Sequence, residues 1–465
     1  MKKATIVFWV IFAIAAAFIY LNGSDEKHSE VYVSIDGDDQ QEGTVERPVK
    51  TLKRAALLAK AGTTVYVREG TYDEKLTIKH SGSKSMPIVF KPYQNEQVVL
   101  SGKNFKSVEG DTAIITIDNK NHVAISGFTV QDLSTDSAEA TVMGILVTGS
   151  SSHIRLDHNQ VRRIETRSDQ GNAHGIAVYG TSAIKDIKLL NNKVEDLKLG
   201  TSEALVLNGN IDGFEISGNV VRRCNNIGID LIGHEGISSN KKMDYARNGV
   251  VFQNEVYAIS TYGNPAYGNE YSAAGIYVDG GKDINIEENL VYENDIGIEA
   301  TSEQQGQVAE YIRIHKNTVY ENAYAGISIG GYDEERGGTK NSLISKNILY
   351  RNDVQRMGGG QLMIQHDAQS NKIEKNILTA GANRIFIANY FKTGKNNKLI
   401  HNVFHKESGE KGVWIWEDEE FTSFEAFKSV SGTDKATRYT DPKYVDSSSF
   451  DFRFAEDSPV KGIIE

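Results

Sequence analysis

Short runs of alternating apolar and polar residues recur along this chain. VYVSI, TTVYV and MPIVF open the pattern, and the pairs Ile284/Ile286 and Ile312/Ile314 repeat it later. An apolar residue at every second position is the signature of a strand with one buried face. From about residue 115 the runs fall into a repeat whose anchor is an Asn followed by apolar residues. The anchors are Asn159, Asn192, Asn219, Asn254, Asn289, Asn317, Asn347, Asn376 and Asn402, and Gly127 in SGFTV is assigned the preceding slot. Successive Asn anchors lie 26 to 35 residues apart, by subtraction of those numbers. An alternating strand precedes each anchor, and a Gly-Ile strand follows it. Three short strands per period predict the coil of a parallel β-helix. An Asn at one turn of every coil predicts an internal amide ladder, because buried amides must be paired.

The remaining elements frame that repeat. Residues 1–22 contain MKK and an apolar run from Ala4 to Tyr20, read as a signal peptide or N-terminal membrane anchor. Residues 23–30 form a polar linker, and 31–114 an N-terminal cap with the first coils. Within this cap PVKTLKRAALLAKAG reads as an amphipathic helix from Pro48 to Gly62. Its face of Leu52, Ala55, Ala56 and Ala59 suits it to plug an open solenoid end. Residues 115–404 are the repeats that carry the site. Residues 405–465 break the period and read as a C-terminal coil and cap with a short helix. The fold expected is all-β: a single-stranded parallel β-helix solenoid with an N-terminal capping helix.

Composition narrows the function. The 465 residues carry a net charge of −11, with a sequence pI near 5.6. No basic stripe is available for nucleic acid. A polyanionic substrate is disfavoured unless a metal ion bridges the contact. Cys224 is the single cysteine, so no internal disulfide can form. It reads as a buried filler rather than a nucleophile. Export, or anchorage on the outer face of the cytoplasmic membrane, follows from the N-terminal run, and no other membrane contact is expected.

The opening strand-and-helix unit, the Asn-anchored coils and the ending DPKYVD…DFRFAEDSPVKG resemble the right-handed parallel β-helix superfamily of pectin-lyase type. That resemblance implies a right-handed solenoid acting on carbohydrate. It leaves the reaction open, since this fold hosts lyases, hydrolases, epimerases and phage tailspikes.

Alignment of the Gly-Ile strands coil by coil gives two outward rows. The first reads Leu146, Ala177, Val206, Asp230, Tyr277, Glu299, Ser328, Met363, Phe386. The second reads Thr148, Tyr179, Asn208, Ile232, Asp279, Thr301, Gly330, Gln365, Ala388. Carboxylates occupy only the middle coils, at Asp230, Asp279 and Glu299. Coils stack at roughly 4.8 Å and alternate residues lie about 6.6 Å apart, so the carboxyls of Asp279 and Glu299 are expected about 5–8 Å apart. That range brackets both carboxylate separations of glycoside hydrolysis. Tyr277, Tyr179, Asn208, His366 and Tyr271 are the candidate sugar contacts. Long insertions at Gly233–Asn248 and Ala258–Ala274 precede strands of this face and are expected to wall a cleft.

The run VDGGKDINIEENLVYENDIGIEATSE has a narrower resemblance, to β-helical β-xylosidase-type glycosidases. It implies Asp279 as nucleophile and Glu299 as acid/base, with Asp230 in reserve. The tryptophan-rich and His-Gly-Pro segments of that family are absent here. The rival reading is a polysaccharide lyase, which needs a Lys or Arg base and charge neutralisation, often by calcium. Neither outward row contains a Lys or Arg, and Lys282 is the best base candidate. Arg163 and Arg223 fall on another sheet. The carboxylates could hold calcium, whereas the hydrolase reading needs no cofactor. A third reading is a non-catalytic surface protein that binds glycan. Tyr257, Tyr292, Tyr320 and Tyr350 share one slot after the anchor and are expected to stack as a ladder.

Overall fold

The computed structural model describes residues 29–105, 110–407 and 409–463. The N-terminal apolar run and all but the end of the linker lie outside the described residues. Coiling begins at once: Ser29–Val33 pairs in parallel with Thr63–Val67, which pairs with Ile88–Pro92. Each later coil repeats three strands, as in Ala274–Asp279, Lys282–Glu287 and Leu290–Tyr292. The next coil stacks on it in parallel register, with Ile276 beside Ile298, Ile286 beside Ile314 and Val291 beside Val319. Two faces of the solenoid join into one 27-stranded sheet and the third forms a 13-stranded sheet. One column of apolar residues from every coil fills the lumen as a continuous core.

All nine Asn anchors are buried and point into that lumen. Asn289 is representative: its Nδ2 donates to Asn317 Oδ1 (2.9 Å) and to Val251 O (3.0 Å), and its Oδ1 accepts from Asn254 Nδ2 (2.9 Å). The slot before Asn159 belongs to Phe128 rather than Gly127, since the Phe128 N–H donates to Asn159 Oδ1. A second ladder, absent from the sequence reading, runs from Asn294 through Asn322 and Asn352 to Gln361.

The capping helix α1 covers only Leu52–Leu58. Pro48 does not open it. Thr51 is the N-cap, its side chain accepting from Arg54 N, while the Glu74 carboxylate accepts from Leu52 and Lys53 N–H. Val49 is instead held as a bridge to Val33. Leu52, Ala55 and Ala56 are buried on the first coil, as the apolar face requires. At the other end, helix α2 (Phe424–Ser431) seals the solenoid by stacking Phe427 on Trp414. The tyrosine ladder is shorter than expected. Tyr257, Tyr292 and Tyr320 stack at 4.8 Å, but Phe450 of the C-terminal segment covers Tyr320, and Tyr350 packs on Phe452.

Candidate active site

Five strands carry the site: β1 (Leu205–Ser217), β2 (Ile229–Ile232), β3 (Ala274–Asp279), β4 (Ile296–Thr301) and β5 (Ala325–Ile329). Their alternation sends Ile229, Leu231, Ile276, Val278 and Ile298 into the lumen. The intervening residues line up across coils, with Val206 beside Asp230, Asp230 beside Tyr277, Tyr277 beside Glu299, and Glu299 beside Ser328. The first outward row is thus as expected except at its end. There Ala388 lies beside Met363. Phe386 is drawn into the closing aromatic cap against Trp414, because the register shifts between Ile385 and Ile387.

Turning away from the lumen does not expose these side chains. Asp230, Asp279, Glu299 and Tyr277 are only 2, 3, 6 and 4 % exposed. The inserted loops fold over them. Asp295 fixes the second insertion by accepting from the N–H groups of Thr261, Ser272 and Ala273. That insertion then reaches back, with Asn264 Nδ2 donating to Gly200 O and Asn225 O, and Tyr267 OH accepting from Asn226. The first insertion brings Glu235, which accepts from Asn208 Nδ2 at 2.7 Å. Around this buried floor Glu235 and Glu303 are exposed and Glu203 is partly buried. The result is a buried acidic cluster with an acidic rim.

The two expected carboxylates have different surroundings. Asp279 Oδ1 accepts the Glu303 N–H at 2.6 Å. Burial and the Glu303 charge push its pKa up, while that N–H and the Ser302 hydroxyl oppose the rise. Glu299 lies diagonally across from it, about 8 Å away between Cα atoms from the strand spacings. Burial pushes Glu299 up to about 8, against the Ser328 hydroxyl, which donates to Oε1 at 3.2 Å. Gln365 Nε2 holds that hydroxyl at 2.7 Å. Asp230 is raised by burial and by the Glu203 and Asp279 charges, and its Oδ1 is buried with no hydrogen-bond partner. Glu203 is raised to about 8 by burial and by Glu235. Burial therefore raises all three, Asp279 well above the ordinary carboxylate range in spite of its donors, and the scarcity of donors at Asp230 and Glu299 further favours their protonated forms.

The structure sorts the other candidates. Tyr277 sits between Asp230 and Glu299, with its OH 3.5 Å from Glu303 Oε1. Tyr179 and Asn208 stand side by side one coil apart. The Tyr179 hydroxyl lies 2.7 Å from Nε2 of the buried His174, whose Nδ1 lies 2.9 Å from the Glu203 carbonyl. Nδ1 therefore carries the proton, and Tyr179 donates to Nε2, leaving its oxygen to accept. Burial lowers His174 to about 4, so it is neutral. His366 and Tyr271 do not join the cluster by any contact: His366 meets Thr393 and Phe391, and Tyr271 stacks on Tyr262. Lys282 lies on the adjacent face of the same sheet and pairs with Glu310 at 2.9 Å. Arg163 and Arg223 pair with Asp132 and Asp196 on the third. Cys224 is a core residue whose burial raises its thiol to about 12.

Sequence reasoning missed Glu203, Glu235, Glu303, His174 and Arg336. Arg336 is the cation whose charge acts on Glu303. Four of them lie outside the alternating rows, in loops or at strand ends, where strand periodicity carries no signal. His174 lies on a strand, buried beneath the rim. A calcium ion takes six to eight oxygens at 2.3–2.6 Å. Among the described residues no three acidic, His or Cys side chains converge on one point that could hold a metal.

The family model for the Pel9A-like right-handed β-helix region matches residues 31–264. The chain belongs to this Pel9A-like family. The match includes Asp230 and the first insertion but stops before Asp279 and Glu299. A relative, the uncharacterized protein YwoF of Bacillus subtilis (strain 168), is 55% identical over 459 residues, 98% of each chain. Pectate lyase PEL9 of Emericella nidulans is 35% identical over 85 residues, 18% of this chain and 21% of that one. Among solved structures, the GH136 lacto-N-biosidase from Eubacterium ramulus superposes with a TM-score of 0.54 at 13% identity, covering 89% of this chain and 67% of that one. The A-module of the mannuronan C-5 epimerase AlgE6 from Azotobacter vinelandii gives 0.52 at 13% identity, covering 82% and 91%. At such identities these structures share the fold with the Pel9A-like chain. Their named reactions are a hydrolysis and an epimerisation of carbohydrate.

Proposed function

We propose that this protein is an exported carbohydrate-active enzyme that hydrolyses a glycosidic bond with Asp279 and Glu299. One observation carries the reading. Two buried carboxyls lie diagonally across adjacent coils, one supplied with hydrogen-bond donors and the other raised to about 8 by burial. Neutral Glu299 protonates the glycosidic oxygen as the bond to the anomeric carbon breaks. Asp279, whose carboxylate form accepts from the Glu303 N–H, attacks that carbon from the opposite face. Water then displaces Asp279, giving its proton to the Glu299 carboxylate and restoring both groups. Asp230, Asn208 and Tyr179 offer oxygens to the sugar hydroxyls. The basic start and apolar run of residues 1–20 support export.

A lyase is the second reading, favoured by the Pel9A-like family and by the 35% identity to a pectate lyase. Against it, no Lys or Arg stands on the acidic rows, and Lys282 is held by Glu310. A product assay on a panel of glycans separates the two. Hydrolysis adds a reducing end without ultraviolet absorbance. Elimination adds the absorbance of an unsaturated uronate, and its appearance would replace the hydrolase reading with the lyase.

A further inference from the structure

A second feature lies around the corner from the carboxylates, on the strands Lys282–Glu287, Arg313–His315, Leu343–Ser345 and Lys372–Glu374. Their outer face bears a groove of about 510 Å³, lined among others by Asn285, Tyr311, Arg313 and Asn341. At the start of these strands each of these coils passes through a left-handed residue. The neighbouring coils fill that place with Asn248, Asp283, Asn341 and Ser370, at φ between 53° and 56°. Asn and Asp suit this conformation. Tyr311 holds the same place at φ 57°, where a bulky side chain is strained, and it is 45 % exposed. A strained residue that buries little has no packing reason to be there, which points to a function.

The surroundings identify the ligand chemistry. Lys282 Nζ sits 5.3 Å from the Tyr311 ring centroid and is tied to Glu310, so it steadies the ring. Arg313 is exposed beside it, and among the described residues no carboxylate lies within ion-pairing distance of it. Two coils further along the row, Lys372 is by contrast paired with Glu374. A flat ring, a free guanidinium and two side-chain amides match the face, ring oxygens and hydroxyls of a sugar chain. Asn285, Arg313, Leu343 and Lys372 stand on successive coils. The groove therefore runs along the solenoid axis for about 15 Å at the strand spacing, enough for roughly three sugar rings.

We propose that this groove is a second carbohydrate-binding site, in which a stretch of polysaccharide stacks one sugar on Tyr311 and hydrogen-bonds to Arg313. Only the class of ligand rests on the carbohydrate reading of the acidic face. The full chain is run through native gels containing polygalacturonate or xylan. The unaltered protein should be retarded by at least one polymer. Tyr311→Asn, which fits the left-handed backbone, should raise the apparent dissociation constant at least tenfold without lowering the melting temperature. Arg313→Gln should raise it severalfold. Turnover of a short soluble substrate should not change in either variant. Glu299→Gln should be retarded like the unaltered protein, so a failed hydrolase reading leaves this test intact. Equal retardation of Tyr311→Asn and the unaltered protein, or no retardation by either polymer, overturns the proposal.

Discussion

Replacing Glu299 by Gln should change how stability depends on pH, in a direction that the burial of this carboxyl fixes. Its pKa is raised from 4.5 to about 8 in the folded protein. Below pH 4.5 the group is protonated in both states and exerts no pH effect. Between pH 4.5 and 8 the unfolded chain loses this proton and the folded protein keeps it. The folded state then binds more protons, so its stability falls as pH rises. A shift of that size corresponds to about 5 kcal/mol across the window. Glu203, also raised to about 8, adds a slope of the same sign. Glu195 acts oppositely: burial would raise it, but hydrogen bonds from Gln160, Arg222, Lys193 and Arg223 bring it down to about 2. Its contribution is present above pH 4.5 and is lost as the pH falls toward 2.

The assay is chemical denaturation of the unaltered protein and Glu299→Gln at intervals from pH 4 to 9. Gln is close to isosteric, cannot ionise, and can still accept from the Ser328 hydroxyl. Subtracting one curve from the other removes the slopes of Glu203 and Glu195. The difference should be flat below pH 4.5, should grow in favour of Gln by several kcal/mol up to pH 8, and should then level off. A difference that stays flat through pH 8 would show that Glu299 is ionised in the folded state. It could not then be the proton donor assigned to it.

Other outcomes test other parts. Asp279→Ala should stop both chemical steps, whereas Glu299→Ala should slow the first by roughly 10²–10⁴. With a leaving group that needs no proton, added azide should rescue the Glu299→Ala enzyme and return a glycosyl azide of retained configuration; that product from the Asp279 variant alone would exchange the two roles. Activity should survive a chelator, and its loss with rescue by calcium would favour the lyase. Asn289→Ala should destabilise the coil stack by about 3–9 kcal/mol, since it removes the acceptor of the Asn254 N–H and Nδ2 and the donor to the Val251 carbonyl, each costing roughly 1–3 kcal/mol. A loss below about 1 kcal/mol in denaturation would mean that the ladder is not a stabilising element.

The solenoid was legible because its physics is local and repeated. An Asn every coil, followed by apolar residues, has few structural solutions, and the register from Asp230 to Met363 follows from alternation alone. The second amide ladder escaped notice because its residues sit at a turn with no fixed apolar neighbour and because Gln361 closes it. Burial of the acidic row was not legible either. Alternation says which way a side chain leaves the sheet, and says nothing of what then folds over it. That depends on contacts such as Asn264 to Gly200, 64 residues apart. Glu203, Glu235 and Glu303 enter the site through the same long-range folding. Pro48 misled the helix assignment, because Thr51 with Glu74 made a better cap than a proline at N1.

The burial that sequence could not reveal also explains how a row of acids can divide into different roles. Strands stack about 4.8 Å apart, so several ionised carboxylates on adjacent coils would repel one another beneath loops that exclude water. The folded protein avoids this by keeping most of them protonated. Among these buried carboxyls Asp279 has the most donors, the Glu303 N–H and Ser302, which offset part of the rise that burial imposes on it. Glu299 has the Ser328 hydroxyl alone, and one Asp230 oxygen has no partner. The difference between these chemically similar side chains thus comes from the turn after Thr301, which presents an N–H to one of them. This turn lies beyond residue 264, where the family match ends. Family membership therefore accounts for the coils, while the pairing of Asp279 with the Glu303 N–H belongs to the later part of this chain, and the reaction must be argued from there.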